Sequence, residues 1–174
     1  MIAFFMHFLP MAILRAVIRI VSSFAILIPC LMLAGCGLLS PKPEKTYPTI
    51  SCTGIVKTAY SQIGKKYRLG GDSPQKGFDC SGLVWWAYKQ HGVTVPRITS
   101  DQAKTGKKVT KSAVKPGDIV VFRSGAGPRG LHTGLYAGKD FFIHSPRTGK
   151  RVCMEKLSSP HWKKTLIAIR RVGK

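Results

Sequence analysis

Drawn as a helix, residues 80–91 (CSGLVWWAYKQH) carry Leu83, Val84, Trp85, Trp86, Ala87 and Tyr88 on most of its sides. A helix that is apolar nearly all round has no face to give to water. It is buried as a central element, and the rest of the chain has to wrap it. Gly92 supplies a C-terminal stop. The wrapping material changes texture along the chain. Upstream, SCTGIVKTAYSQIGKKY, from Ser51, sets Ile55, Ala59 and Ile63 at helical spacing, with Val56 and Tyr60 beside them. RLGGDSPQKG is a turn-rich loop between the two helices. Residues 94–114 are polar and basic and read as loops with one short helix. Downstream, GDIVVFR, HTGLYAG, FFIHS, RVCME and TLIAIRRV are short β-rich runs separated by turn signals. Helices first and strands second predict an α+β fold with an antiparallel sheet. The 174 residues suffice for one domain with a full core, and no internal repeat is visible.

Residues 11–36 (MAILRAVIRIVSSFAILIPCLMLAGC) have another character. Arg15 and Arg19 form a positive n-region, residues 20–33 an apolar h-region, and LAGC sets small residues ahead of Cys36. This is the pattern of a secretory signal. A transmembrane helix is the alternative, but the apolar run is shorter than the ~20 residues a span needs and stops at the small-residue pattern. LAGC resembles a bacterial lipobox, in which the cysteine after the cut carries the lipid. The expected division is a signal peptide over 1–35, a lipidated tether over 36–50 and a folded domain over 51–174. The tether, GLLSPKPEKTYPT, has no periodicity and reads as a linker. Gly37 follows Cys36, where an aspartate would mark inner-membrane retention, so the expected location is the bacterial envelope, anchored by lipid in the outer membrane and facing the periplasm. The first ten residues, MIAFFMHFLP, are apolar before the n-region, so a start at Met1 or at Met11 both fit.

There are 28 Lys plus Arg against 7 Asp plus Glu, a formal net charge of +21. That balance argues for anionic partners such as wall polymers or an acidic membrane surface. The basic residues are scattered with no aromatic-interleaved stripe, so no nucleic-acid partner is expected. A monomer is expected. Of five cysteines, Cys30 leaves with the signal and Cys36 takes lipid, which leaves Cys52, Cys80 and Cys153. Exported proteins tend to pair their cysteines. If Cys80 stays a thiol, Cys52 and Cys153 are the only possible pair, and the alternative to that disulfide is that both are small buried residues.

Cys80 sits at the mouth of the buried helix, directly after Asp79. Asp79 is a favoured N-cap residue, which puts Cys80 in the first turn, where the helix dipole eases thiolate formation. The charge of Asp79 opposes that unless backbone amides or a substrate cation engage it. A thiolate also needs a base, normally histidine. His132 opens one predicted strand and His144 lies in the next, so the two could share a face, with His132 paired to Cys80 and His144 orienting its ring. His91 and His161 lie in helix-end and loop contexts. Other readings remain: Cys80 as a small core residue, both histidines as structural, or the three as metal ligands in a spacing unlike common zinc patterns. Residue types and spacing leave these open.

FDCSGLV resembles the nucleophile motif of the NlpC/P60 family of cell-wall peptidases. YRLGG resembles that family's tyrosine-to-double-glycine loop, KPGDIVVF its strand into the sheet, and HTGLYAG followed by FFIHSP its histidine strand and the next one. The resemblance covers about residues 52–172. It implies a papain-like fold, with the cysteine-bearing helix packed on an antiparallel sheet, and a lipoprotein murein endopeptidase that needs no metal or cofactor. It implies Cys80 as nucleophile, His132 as base and His144 as the third residue. Tyr67 is implied at the oxyanion site, and Asp79 and Ser81 near the substrate's amino end. The family often has valine where this chain has Thr133, a position expected on the sheet's other face. The implied substrate is the peptidoglycan stem peptide, cut between γ-linked D-glutamate and diaminopimelate. The alternatives are the D-alanine–diaminopimelate cross-link, or a non-catalytic wall-binding lipoprotein on the same fold. Lys65, Lys66 and Arg68 flank Tyr67 and could meet stem carboxylates under either choice of bond.

Overall fold

The computed structural model describes residues 54–125 and 130–173. The signal, lipobox and tether, and with them Cys36 and Cys52, lie outside the described residues. Helix α1 (Gly54–Tyr60) buries Val56 and Ala59. Two very short strands, β1 (Asp72–Ser73) and β2 (Gly77–Phe78), pair antiparallel and lead into α2 (Cys80–Lys89). Next come α3 (Thr99–Gln102), β3 (Lys107–Lys108) and a 3₁₀ turn over Lys111–Ala113. The main strands are β4 (Ile119–Arg123), β5 (Leu131–Gly138), β6 (Phe141–His144), β7 (Cys153–Lys156) and β8 (Leu166–Arg171). Helix α4 (Pro160–Thr165) stands between β7 and β8.

The sheet is six-stranded in the order β3-β8-β4-β5-β6-β7, with every neighbouring pair antiparallel. The α+β reading therefore holds. Three details differ from expectation. The loop of residues 68–77 contains a two-stranded ladder, residues 94–114 add a short strand and a 3₁₀ turn to their helix, and His161 lies in a helix.

One apolar cluster joins both N-terminal helices to one face of the sheet: Val56 and Ala59, then Leu83, Val84, Ala87 and Tyr88, against Ile119, Val121, Leu135 and Ile143. Fully burying one such aliphatic side chain contributes about 1.5–3 kcal/mol. Tyr88, buried at the centre, donates its hydroxyl to Gly117 O at 2.7 Å, which satisfies the polar tip. A second cluster, Val120, Phe122, Phe142, Leu157 and Ile169 with Trp162 against it, covers the other face. β4 is therefore buried on both sides, which is why IVVF reads as an unbroken apolar run. Alternation along a strand then decides which side a residue serves. Thr133 pairs with Val121 of the helix-side cluster, and His132 pairs with Phe122 of the other.

Candidate active site

The site is built where α2 begins. Asp79 is its N-cap, and the carboxylate accepts from Gly82 N at 2.6 Å. The double-glycine loop clasps the same residue: Gly70 N donates to Asp79 Oδ2 at 2.9 Å, and Asp79 N donates to Gly71 O at 3.0 Å. The approach is close enough to demand glycine at position 82, because a Cβ there would lie 2.0 Å from Gly71 O. Arg97, which the sequence did not flag, completes the arrangement. Its guanidinium donates to both carboxylate oxygens at 2.9 Å each, to Ser81 Oγ at 3.1 Å and to Gly71 O at 3.1 Å. A bidentate arginine neutralises the charge that stood against a thiolate next door. The polar atoms of Asp79 and Ser81 thus have partners within the protein, and both residues line the cavity at Cys80.

Cys80, buried in the first turn of α2, opens on a cavity of ≈ 660 Å³ that Tyr67, Arg97, Thr99 and His132 also line. The hydrogen bond of its thiol runs to Thr99 Oγ1 at 3.7 Å, and His132 shares the cavity with it. Tyr67 is half-buried, and its hydroxyl pKa is raised, first by burial and then by Cys80 and Asp79, so at neutral pH it is an O–H donor.

His132 and His144 do share a face. Their rings meet edge to face, with His132 Nε2 2.8 Å from His144 Nδ1. Gly134 makes this possible, since a Cβ there would come within 3.1 Å of His144 Cβ and 2.8 Å of Ile143 O. Phe142 and Trp162 box the pair, Trp162 stacking on His132 and standing edge-on to His144. Burial, then His144, pulls the pKa of His132 from 6.5 down to about 3, and burial likewise lowers that of His144. Both rings are therefore neutral at neutral pH. Because Nε2 of His132 is taken by His144, Nδ1 is the ring nitrogen left to deal with the cavity. On the opposite face Thr133 donates to Gln102 Oε1 at 3.0 Å, and Gln102 Nε2 donates to Ser81 O at 3.0 Å, tying β5 to the cysteine helix.

Glu155 was also not legible beforehand. Its Oε1 lies 3.4 Å from His144 Nε2, and Trp162 Nε1–H donates to its Oε2. Cys153 Sγ lies 3.5 Å from the same His144 nitrogen. Among the described residues His144, Cys153 and Glu155 bring one ligand-type atom each within 4.8 Å of one another. Both nitrogens of His144 already face protein partners, so the cluster is read as a contact network. A pairing of Cys153 with Cys52 involves a residue outside those described.

The arrangement offers a thiol at a helix start, a neutral imidazole in the same cavity, and a second imidazole holding the first. The family model described as NlpC/P60 family matches residues 64–171. The chain belongs to the NlpC/P60 family. It is 41% identical over 114 residues to murein DD-endopeptidase MepH of Escherichia coli (strain K12), covering 64% of this chain and 42% of that one. It is 39% identical over 118 residues to gamma-D-glutamyl-L-lysine dipeptidyl-peptidase of Bacillus subtilis (strain 168), covering 67% and 40%. This chain thus spans less than half the length of either relative. Among solved structures, an NlpC/P60 family protein from Bacillus cereus matches with a TM-score of 0.64 and 32% identity, over 72% of this chain and 41% of that one. The fold described above is the NlpC/P60 fold.

Proposed function

We propose that this chain is a cysteine peptidase that hydrolyses stem peptides of peptidoglycan, with Cys80 as nucleophile, His132 as base and acid, and His144 as the residue that orients His132. The observation that carries it is a thiol at the start of a buried helix, in one cavity with an imidazole whose far nitrogen a second imidazole already holds. Cys80 Sγ attacks the amide carbonyl carbon while its proton passes to His132 Nδ1. The carbonyl electron pair moves onto oxygen, where the Tyr67 hydroxyl is the proposed donor. The C–N bond then breaks, the amine leaves with the proton from His132, and a thioester remains. Water attacks the thioester carbon as His132 takes its proton; the C–S bond then breaks, His132 returns the proton to Sγ, and the acid leaves.

The bond proposed is the one between γ-linked D-glutamate and diaminopimelate; the exposed Lys65, Lys66 and Arg68 would meet stem carboxylates. One observation favours a second reading, the D-alanine–diaminopimelate cross-link. Asp79 and Ser81 spend their polar atoms on Arg97 and Gly82, so neither is a bare partner for the free ammonium of a short stem. Lipid attachment at Cys36, and with it an outer-membrane location, is part of the proposal and rests on the lipobox and on Gly37 after it. Purified protein is incubated with defined tripeptides and with cross-linked dimers, and the fragments are identified by mass. Cleavage of the tripeptide, abolished by Cys80→Ala, is expected. Monomers released from the dimer with the tripeptide left whole would establish the second reading. No cleavage of either would leave only a wall-binding role.

A further inference from the structure

β7 sets Glu155 behind the histidine pair, on the side away from the thiol. Three strands and a helix supply the groups that meet there: His132 from β5, His144 from β6, Cys153 and Glu155 from β7, and Trp162 and His161 from α4. Across the cavity stand Cys80, Tyr67, Asp79 and Arg97. We propose that Glu155 is a positioning residue that holds His144, and through it His132, in the one pair of tautomers that leaves the Nδ1 lone pair of His132 to the cavity. The inference rests on the cysteine-peptidase reading above and concerns how that site is readied.

A carboxylate only accepts hydrogen bonds. Contact with His144 Nε2 and donation from the Trp162 indole pull the pKa of Glu155 down to about 2, so it is a carboxylate under all ordinary conditions. The nitrogen it faces at 3.4 Å, His144 Nε2, then carries the hydrogen, and the Cys153 thiol, 3.5 Å from the same nitrogen, donates to Glu155 Oε1 instead. His144 is buried and neutral, so it has one hydrogen only, and its Nδ1 has the lone pair. The 2.8 Å bond to His132 Nε2 then has one possible direction: His132 Nε2–H donates. His132 is neutral too, so its Nδ1 holds the lone pair, which is the state a base needs toward a thiol. Reversing the first contact reverses every later one. If His144 Nε2 accepted, its Nδ1–H would point at His132, and His132 would turn a hydrogen, not a lone pair, toward Cys80. Neutral histidine favours the Nε2–H tautomer only weakly, and a fixed anion at one end makes the choice firm. Trp162 secures the anion in turn, with its indole N–H on Glu155 Oε2 and its ring against both imidazoles.

The test uses the full chain. Nitrogen-15 shifts of the imidazoles report the tautomers directly, and in the native protein both His132 and His144 are expected to be protonated on Nε2. Native His132 protonated on Nδ1 would overturn the inference without any variant. Glu155→Gln presents an amide N–H₂ that can donate to His144 Nε2. The expected result is a switch to Nδ1–H on both rings and a kcat lower by roughly 10–100-fold, the range known for losing an outer partner of a metal-ligating imidazole, with KM unchanged. Alkylation of Cys80 by iodoacetamide, followed on its own peptide by mass, is expected to slow between pH 6 and 8, and Glu155→Asp to restore part of both losses. Native tautomers and an unshifted alkylation profile in Glu155→Gln would overturn the inference. Should that variant not fold, Trp162→Phe keeps an aromatic ring against the imidazoles but loses the indole N–H donor and part of the ring area: a smaller shift of the same sign supports the inference, and none overturns it. Tautomers and alkylation need no substrate. If they behave as expected while no peptide is cut, the peptidase reading fails and the positioning stands.

Discussion

Arg97 resolves an electrostatic conflict created by two adjacent residues. Asp79 is wanted as an N-cap, and Cys80 is placed where a helix start favours a thiolate, yet a carboxylate beside a thiolate repels it. Bidentate pairing with Arg97 removes most of that repulsion within a half-buried ion pair. Arg97→Leu strands the carboxylate; the expected loss of stability is about 2–4 kcal/mol, because one partner of a desolvated pair is left uncompensated. Iodoacetamide should also alkylate Cys80 more slowly. Asp79→Asn in the Arg97→Leu background should recover part of both, and urea midpoints with peptide-resolved alkylation test this. A second prediction concerns His132. In the folded chain its pKa is about 3 instead of 6.5, so the folded state refuses a proton that the unfolded chain accepts. The stability this group contributes is fully present above pH 6.5 and is lost as pH falls toward 3, by up to about 1.4 kcal/mol per pH unit for the one proton. Glu155, at about 2 instead of 4.5, adds a loss of the same sign from pH 4.5 downward. Urea midpoints between pH 7 and 4 should fall more gently in His132→Gln than in the native chain, and identical slopes would contradict the shift.

At the scale of elements, β5 and β6 meet at Gly134. Any side chain there drives a Cβ to 2.9 Å from the Phe142 ring and 3.1 Å from His144 Cβ. Gly134→Ala should cost about 1–3 kcal/mol as overpacking and tilt His144 off His132. Thermal unfolding reads the first effect and kcat the second, and a variant with native stability and native kcat would show that the strands yield freely. The same pairing explains what could be read beforehand. The central helix was legible from its apolar girdle, and the main strands from β-rich runs between turns. The histidines' common face was legible because alternation fixes it once two runs are taken as neighbours. The ladder β1–β2 was not, because strands of two residues have no period. Arg97 lies 18 residues beyond Asp79, and Glu155 reaches His144 only through the cross-strand register of β6 and β7. Pairings of that kind belong to the fold and leave no trace in local spacing. Thr99 looked like one polar residue among many until α3 set its hydroxyl beside the thiol.

For the molecule as a whole, charge sets the expectation. On the proposed signal cleavage, Arg15 and Arg19 leave with the signal, and 26 basic residues stand against 7 acidic ones, a net charge of +19. The structure shows how few of the basic groups are spent internally: Arg97 on Asp79 and Arg171 on Asp118 are the close pairs that half-bury both partners among the described residues, while Lys65, Lys66, Lys107 and Lys108 are exposed. On a second flank, Lys65, Lys66, Lys76 and Arg151 line a shallow groove behind the loop that carries Tyr67. Wall polymers and acidic lipids are anionic, so a surface of this kind is expected to adhere to them through charges in water, each worth little alone and screened over about 10 Å at 0.1 M salt and about 30 Å at 0.01 M. On the proposed mechanism the Cys80→Ala variant holds substrate without cutting it, which separates adhesion from catalysis. Its binding to isolated sacculi should weaken at least tenfold between 0.01 M and 0.15 M salt. Substituting Lys65, Lys66 and Lys76 together by Gln should flatten that dependence while the affinity at high salt stays the same. Binding that ignores salt would place recognition in the cavity at Cys80 and leave the basic surface no part in it.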